Sequence, residues 1–182
     1  MMPVRVLTAA QAAERDSRAI AAGTPSRELM KAAGRAAAAE LLRHAGARAS
    51  VGIDIYAGGG NNGGDAWVVA GTLSAAGFPV RVHEIEAPRT ADAIAEKSEA
   101  TPTLQRAAAA RGRPGVVVDG LLGTGARGAP RGAIAQACGD IEAARRDGAF
   151  VVALDVPSGL DATTGAHDGA PRADLTVTFG SL

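Results

Sequence analysis

The chain has too little cysteine, histidine and net charge for several common classes of protein. Cys138 is the single cysteine in 182 residues, which excludes a disulfide framework and a cysteine-rich zinc site. The three histidines, His44, His83 and His167, are far apart in the sequence and do not favour a histidine-built metal site. Basic and acidic residues number 19 each, and this balance argues against a nucleic-acid or anionic-membrane surface.

Long apolar runs are missing as well. No segment approaches the roughly 20 consecutive apolar residues that a membrane-spanning helix needs. Residues Met1–Arg5 are not followed by the apolar stretch of a signal peptide. We therefore expect a cytoplasmic protein. With 47% hydrophobic residues, 24 glycines and no repeat or linker, residues 1–182 are expected to form a single domain with a hydrophobic core.

Two helices are predicted in the first fifty residues. The first covers Ala9–Ala22 behind a capping Thr8, and the second runs from Thr24–Pro25 to about Gly46. The second helix carries a stripe at helical spacing, which is typical of a core or subunit contact: Leu29, Met30, Ala33, Ala37, Leu41 and His44.

From residue 50 onward, short apolar strands alternate with helices. Strands are predicted at residues 51–56, 80–85, 116–118, 150–154 and 175–179, and helices at about 64–76, 92–110 and 133–146. Strands separated by such helices indicate a mostly parallel sheet covered on both faces. The expected fold is a three-layer α/β/α Rossmann-like sandwich with a mostly parallel sheet, preceded by two N-terminal helices.

Most of the polar and glycine-rich sequence lies in three loops that each follow an apolar strand: Gly58–Asp65, Asp119–Gly128 and Asp155–Asp161. In an open parallel sheet the carboxyl ends of the strands share one edge, and ligands bind in the crevice there. The three loops are therefore expected to meet at one pocket.

The first loop has five glycines in the seven positions from Gly58 to Gly64. Backbone N–H groups can approach a phosphate there, and the next helix offers its positive end. A tight turn with a capped helix is the simpler interpretation, but Asn61, Asn62 and Asp65 make the loop more polar than a turn requires.

The same loop also matches a dinucleotide-binding spacing through Gly58, Gly60 and Gly63. Glu84 lies about twenty residues further on, where a ribose-binding acid would be expected. An NAD-dependent dehydrogenase is therefore an alternative hypothesis. Against it, the helix is expected to begin at Gly64–Asp65, which places a carboxylate where pyrophosphate would bind.

The second and third loops each begin with an aspartate, Asp119 and Asp155, at the end of a strand. Such a carboxylate suits metal ligation or general acid–base chemistry, although each could simply cap its loop. Gly123–Gly125 with Arg127 and Arg131 indicates an anion-binding segment. Ser158 has no histidine partner in a nucleophile motif, so its hydroxyl is a candidate for binding a cation or ligand.

Four further residues are more simply explained by structure than by chemistry. We expect Cys138 to be a small buried hydrophobe, His83 to be a packed or edge residue, and Trp67 to belong to the core. Asp161 is expected to organise its own turn.

The three loops resemble the signature loops of the YjeF N-terminal domain family, in Asn61–Asp65, Asp119–Gly125 and Asp155–Asp161. Segments Val6–Gln11, Glu28–Met30 and Ala33–Gly34 resemble the first two helices of that family, and Ala173–Gly180 resembles its late strand. The resemblance covers essentially the whole chain in the expected order.

Enzymatic members of that family are NAD(P)HX epimerases, isomerases of metabolite repair. NADHX and NADPHX are hydrates of the reduced nicotinamide ring, with a hydroxyl on C6 beside the ring nitrogen. This hemiaminal hydroxyl can leave with help from the nitrogen lone pair and return on the other face. The resemblance thus implies that the chain interconverts the R and S epimers, so that a companion dehydratase specific for S can clear both.

The resemblance also implies the role of each site residue. Asp155 would be the general acid–base group and a substrate contact. The dinucleotide, a substrate rather than a cofactor, would be held by Asn61, Asn62, Gly63, Gly64 and Asp65, and by Gly123, Thr124, Gly125, Ala126, Arg127, Gly128 and Ala129. The family's potassium ion would be bound by Asn62, Asp119, Ser158 and backbone carbonyls, hard oxygen donors that suit an alkali cation better than zinc.

Two features depart from the family pattern. Ala66 stands where the family usually has glycine, and the chain stops at Gly180–Leu182, where members usually continue. We therefore expect the extreme C-terminal segment to be missing. The resemblance further implies a homodimer formed through the N-terminal helices. Because some relatives serve in protein complexes, a non-catalytic nucleotide-binding module is a third hypothesis, although intact Asp119 and Asp155 favour catalysis.

Overall fold

The structure is a computed structural model that describes residues 8–106, 110 and 112–179. The helices are α1 (Ala9–Ala21), α2 (Ser26–Ala49), α3 (Asn61–Ala75), α4 (Ala91–Arg106) and α5 (Gly132–Arg146). The strands are β1 (Ile53–Ala57), β2 (Val80–Glu84), β3 (Val116–Gly120), β4 (Phe150–Leu154) and β5 (Leu175–Val177).

The five strands form one parallel sheet in the order β2-β1-β3-β4-β5. Tyr56 of β1 is in register with both His83 of β2 and Asp119 of β3, so the last residues of these strands lie side by side. All strands run the same way, and the loops that leave their carboxyl ends therefore emerge at one edge. The predicted parallel sheet is confirmed.

Alternate residues of the strands pack against helices on opposite faces of the sheet. Ile53, Ile55 and Val118 lie in a core with side chains of α2 and α3. Tyr56 and Val117 point to the other face, where they join a smaller core with α5. The α/β sandwich with three layers is confirmed, with α4 packed on α3.

The two N-terminal helices are found as predicted, with small differences. Thr8 caps α1, because its hydroxyl accepts from the amide of Gln11 at 3.3 Å while Oε1 of Gln11 accepts from the Thr8 amide at 2.9 Å. Helix α2 extends beyond Gly46 to Ala49, with a non-helical backbone at Ala45. The buried stripe continues from Leu41 to Ala45 and Ala49 at a spacing of four residues, whereas the predicted stripe residue His44 is exposed.

Several predicted element ends differ from the structure. Helix α3 begins at Asn61, three residues before the predicted Gly64, and β3 extends through Asp119 to Gly120. The last strand ends at Val177 rather than at residue 179. Helix α4 is described to Arg106, and the end predicted at Ala110 crosses residues 107–109, which lie outside the described part of the chain. No helix among the described residues is long and apolar enough to span a bilayer.

Candidate functional site at the carboxyl edge of the sheet

The segment Asn61–Asp65 is the beginning of α3 and not a loop, which corrects the sequence prediction. Two glycines explain how this start is packed. A Cβ on Gly63 would lie 1.8 Å from the Gly58 carbonyl oxygen, and a Cβ on Gly58 would lie 2.0 Å from that of Leu121. Neither position has room for a side chain, so the start of α3 lies directly against the β1 end and the loop after β3.

Asn62 connects this helix start to the second loop. The residue is 7% exposed, and its Nδ2 donates to the Leu122 carbonyl at 2.9 Å. Its Oδ1 is buried and has no hydrogen-bond partner in the part of the chain that the structure describes. An acceptor left unpaired in this way is costly, and it marks a place where a cation or a donor can bind.

Asp119 and Ser158 join the second loop to the third. The fully buried carboxylate of Asp119 accepts from the Ser158 amide at 2.8 Å and from the Ser158 hydroxyl at 2.6 Å. The Ser158 hydroxyl in turn accepts from the Leu122 amide at 2.9 Å. Burial raises the pKa of Asp119, although these hydrogen bonds oppose the increase. Asn62, Asp119 and Ser158, predicted as cation ligands, thus lie together around Leu122.

Asp155 is held in an unusual backbone conformation beside the second loop. Its φ is 64°, the only positive value at a non-glycine residue in the described chain. Its amide donates to the Val177 carbonyl at 2.8 Å, and its Oδ2 accepts from the Thr124 amide at 2.7 Å. A Cβ on Gly123 would lie 2.7 Å from Asp155 Oδ2 and 3.4 Å from Asn62 Cβ. Asp155 and Asn62 therefore flank Gly123.

Two more carboxyl groups lie near Asp155. Asp65 is 8% exposed, and burial together with the negative charges of Asp155 and Asp16 raises its pKa to about 8. Asp16 belongs to α1, where burial and the charge of Asp155 raise its pKa as well. Asp16 could not be predicted as a site residue, because an aspartate in an alanine-rich helix carries no local signal of a site.

An open cavity of about 220 Å³ lies between the second and third loops. Four of the predicted binding residues line it, namely Gly123, Ala126, Gly128 and Ala129. The other side of the cavity is formed by residues of the third loop and its continuation, including Val156 and His167. Of the predicted anion-binding arginines, Arg127 is exposed and Arg131 is the exposed residue that precedes α5.

The dehydrogenase hypothesis depends on Glu84 and on the glycine spacing of the first loop. Glu84 is engaged by Lys97, whose Nζ lies 2.5 Å from its carboxylate. Gly58 and Gly63 are explained by the close packing of the backbone on itself. The identities of Glu84, Gly58 and Gly63 are therefore accounted for without a bound dinucleotide.

The residues predicted to be structural are found in structural positions. Trp67 is buried in the larger core, and Cys138 is buried, with burial raising the pKa of its thiol to about 12. Asp161 organises its turn by accepting from the amides of Thr163 and Thr164, each at 2.9 Å. His83 stacks on Tyr56 with ring centroids 4.5 Å apart.

A charged group that no sequence motif indicates lies next to His83. Asp54 of β1 accepts from Arg81 at 2.6 Å and lies 3.1 Å from His83 Nε2. Burial alone would raise the pKa of Asp54, but the hydrogen bonds from His83 and Arg81 lower it overall.

The alanine at position 66, where the family usually has glycine, packs against Gly120 of β3. A Cβ on Gly120 would lie 2.5 Å from the Ala66 methyl. Only glycine on β3 leaves room for this buried alanine.

The parallel sheet and the crevice at its carboxyl edge define the chain as an open α/β protein of the Rossmann-like class. Three loops supply its polar groups, and no cluster of three or more His, Cys, Asp or Glu side chains suited to a metal occurs among the described residues. The family model described as YjeF-related protein N-terminus matches residues 26–182. The chain belongs to this family.

Relatives agree with this assignment. The chain is 40% identical over 169 residues to the NAD(P)H-hydrate epimerase of Pirellula staleyi, a match that covers 85% of this chain and 72% of that protein. It is 37% identical to the bifunctional NAD(P)H-hydrate repair enzyme Nnr of Methanothermobacter thermautotrophicus, covering 86% of this chain but only 32% of that protein. The crystal structure of yeast ynu0 has the same fold, with a TM-score of 0.82, 19% identity, and coverage of 95% of this chain and 79% of that one.

Proposed function

We propose that this protein epimerises NADHX and NADPHX, interconverting the R and S configurations at C6 of the hydrated nicotinamide ring. The observation that carries the proposal is the convergence of the start of α3, the second loop and the third loop on Asp155 and Gly123 in a chain of the YjeF-related N-terminal family. The names of relatives that match at 37–40% identity over most of this chain support it.

The chemistry asks for a proton donor and acceptor beside the ring and a pocket that holds the ring still. The Asp155 carboxylate is fixed by the Thr124 amide at 2.7 Å. Its backbone is also fixed, because its amide donates to Val177. A carboxyl group held in this way can exchange a proton with the C6 hydroxyl as the C–O bond breaks and re-forms. Asp155 is thus the proposed general acid–base group and a substrate contact.

Two segments are proposed to bind the dinucleotide. The first is the start of α3, Asn61–Asp65, whose first backbone N–H groups and polar side chains can contact the dinucleotide. The second is Gly123–Ala129, several of whose residues line the cavity. Arg127, exposed in this segment, can add a charged donor to the phosphates.

Potassium is the proposed resident ion, and the side chains at hand fit it. Asn62 Oδ1 is a buried acceptor with no partner in the described chain, and the Nδ2 of the same amide is linked by hydrogen bonds through Leu122 to Ser158 and Asp119. These are neutral or singly charged oxygen donors, which suit an alkali cation. A bound potassium ion would neutralise Asp119 and tie the start of α3 to the second and third loops.

The enzyme is also proposed to work with a dehydratase specific for the S epimer. The bifunctional repair enzymes that match this chain support such a coupling, and the chain spans only about a third of their length, 32% and 34% in two of them. The homodimer, the cytoplasmic location, the single domain and the non-catalytic alternative stay predictions.

The test supplies R-NADHX to a purified S-specific dehydratase with ATP, and follows the recovery of NADH absorbance. We expect this protein to accelerate recovery well above the spontaneous epimerisation. No acceleration by folded protein would contradict the proposal. Hydride transfer to a carbonyl substrate would favour the dehydrogenase hypothesis instead, and NADPHX binding without turnover would favour the non-catalytic module.

A further inference from the structure

Asp65 is a buried carboxyl group to which the fold supplies no hydrogen-bond donor. It is 8% exposed, and within residues 8–106, 110 and 112–179 no hydrogen bond or ion pair reaches its side chain. Burying a carboxyl group without a donor costs free energy, which the usual pairing of buried polar groups avoids. The stability of the fold therefore does not account for Asp65.

A second unpartnered group lies on the same side of the helix. Asn62 is three residues earlier in α3, a spacing that puts two side chains on one face. It is 7% exposed, and its Oδ1 has no partner in the described chain. Asn62 also flanks Gly123 together with Asp155. One face of α3 thus presents an unpaired amide oxygen beside Gly123 and a buried carboxyl group on which the charge of Asp155 acts.

The charges around Asp65 keep a proton on it. Asp155, after β4, and Asp16, on α1, are the titratable groups whose negative charges act on it. Together with burial they raise the pKa of Asp65 to about 8. Near neutral pH, Asp65 is accordingly a neutral acid. A buried carboxyl group that keeps its proton at neutral pH is suited to act as a general acid.

We propose that Asp65 is a second proton-transfer residue of the epimerisation, and that Asp65 and Asp155 act as a pair holding one proton between them. This inference rests on the proposed function. In one direction, Asp65 gives its proton to the C6 hydroxyl, the C–O bond breaks, and the lone pair of the ring nitrogen forms the C=N bond of an iminium ion. One water molecule leaves.

The return step restores the hydrate with the opposite configuration. A water molecule adds to C6 on the other face, its extra proton passes to Asp155, and the C=N electron pair returns to the ring nitrogen. One proton has then moved from Asp65 to Asp155, and exchange with solvent resets the pair. The reverse reaction uses the two carboxyl groups in exchanged roles.

Asp16 is a positioning residue in this scheme, because its charge acts on the reaction through Asp65. Removing that charge with Asp16→Asn lowers the affinity of Asp65 for its proton. The acid form is then lost at a lower pH, while the activity at pH 6, where Asp65 is protonated in either case, stays close to that of the wild type.

The experiment measures kcat for R-NADHX from pH 5.5 to 9.5 in the wild type, Asp65→Asn, Asp16→Asn and the control Asp140→Asn. Asp140 is an exposed residue of α5 outside the site. We expect the wild type to lose activity as the pH rises through about 8. Asp65→Asn should lower kcat about 100-fold or more, Asp16→Asn should move the alkaline loss to lower pH, and Asp140→Asn should change neither.

A titration of the aspartate side chains by carbon NMR gives a readout that does not depend on turnover. We expect a signal that titrates near pH 8 in the wild type and is absent in Asp65→Asn. Asp65 titrating below pH 5, or an Asp65→Asn variant with wild-type kcat, would overturn this inference alone, since the wild type would still be active. A folded wild type without epimerase activity would overturn the proposed function and this inference with it.

Discussion

Ser158 contacts Asp119 through both its amide and its hydroxyl, at 2.8 and 2.6 Å. Asp119 lies near the end of β3 and Ser158 in the third loop, and both are completely buried. The Ser158 hydroxyl also accepts a hydrogen bond from the Leu122 amide. One hydroxyl therefore pairs with both the Leu122 donor and the Asp119 acceptor. This contact fixes the distance between the loops that line the cavity.

Ser158→Ala should therefore destabilise the fold. The substitution removes the hydrogen bond from the Ser158 hydroxyl to Asp119 and leaves the buried amide of Leu122 without an acceptor. The expected cost is about 1–3 kcal/mol. The free energy of unfolding from urea denaturation measures this loss. Ser98→Ala, at an exposed position of α4, should change it by less than about 0.5 kcal/mol, and equal losses in the two variants would contradict the assignment.

Asp155→Asn should preserve the backbone conformation at this position but remove the acid–base group. Asparagine adopts positive φ readily, whereas alanine does so at a cost of about 1–2 kcal/mol. We expect both Asp155→Asn and Asp155→Ala to abolish epimerisation, with Asp155→Ala also less stable. Thermal denaturation and the coupled assay separate the two effects, and activity retained in Asp155→Asn would exclude Asp155 as the general acid–base group.

Gly123→Ala tests the contact between Asp155 and the second loop. The added methyl would lie 2.7 Å from Asp155 Oδ2, so the carboxylate must move away from the Thr124 amide. We expect kcat to fall at least tenfold. The control is Gly139→Ala on α5, where a Cβ has nothing within 4 Å, and its kcat should equal that of the wild type. An unchanged kcat in Gly123→Ala would show that the observed placement of Asp155 is not required.

Potassium binding predicts a stability that depends on the cation. At constant ionic strength the melting temperature should rise with potassium concentration and not with choline, because an ion that binds only the folded state stabilises it by mass action. Asn62→Ala should remove the rise, whereas Asn61→Ala, at an exposed position, should retain it. A melting temperature independent of the cation in the wild type would reject the site.

Asp65 should make the folded protein less stable as the pH increases. Its pKa is raised from 3.8 to about 8, so the folded state keeps a proton that the unfolded state releases. That stabilisation is complete below about pH 4. It falls by roughly 1.4 kcal/mol per pH unit as the pH rises from there, and is lost once the pH has passed about 8. Asp65→Asn should lack this dependence and be the more stable protein at pH 8, as urea denaturation at several pH values can show.

The sheet can be predicted from the sequence, because its buried strands are apolar runs too short to form buried helices. Val116–Val118 and Phe150–Leu154 have no polar residue that would place them at the surface. The start of α3 was misplaced for a physical reason. Gly63 and Gly64 have low intrinsic helix propensity, and the close packing of Gly63 on the Gly58 backbone, which makes glycine necessary there, is visible only in the folded structure.

The candidate site was predictable where its residues follow strands and unpredictable where they do not. Asp119 and Asp155 come directly after apolar runs, so their position at the sheet edge follows from the topology of a parallel sheet. Asp16 comes from α1, and nothing in its local sequence brings it toward Asp155. The group formed by Asp54, Arg81 and His83 likewise depends on the pairing of β1 with β2.

The hydrogen bond from the Asp155 amide to Val177 gives the outermost strand of the described sheet an influence on the chemistry. Strand β5 has three residues, Leu175–Val177, and short edge strands open more often than central ones. Each opening frees the backbone of Asp155, whose positive φ is then no longer imposed. The rate at which the Asp155 amide exchanges with deuterium therefore reports how often the site comes apart, and strengthening β5 would slow that exchange without changing any residue of the three loops.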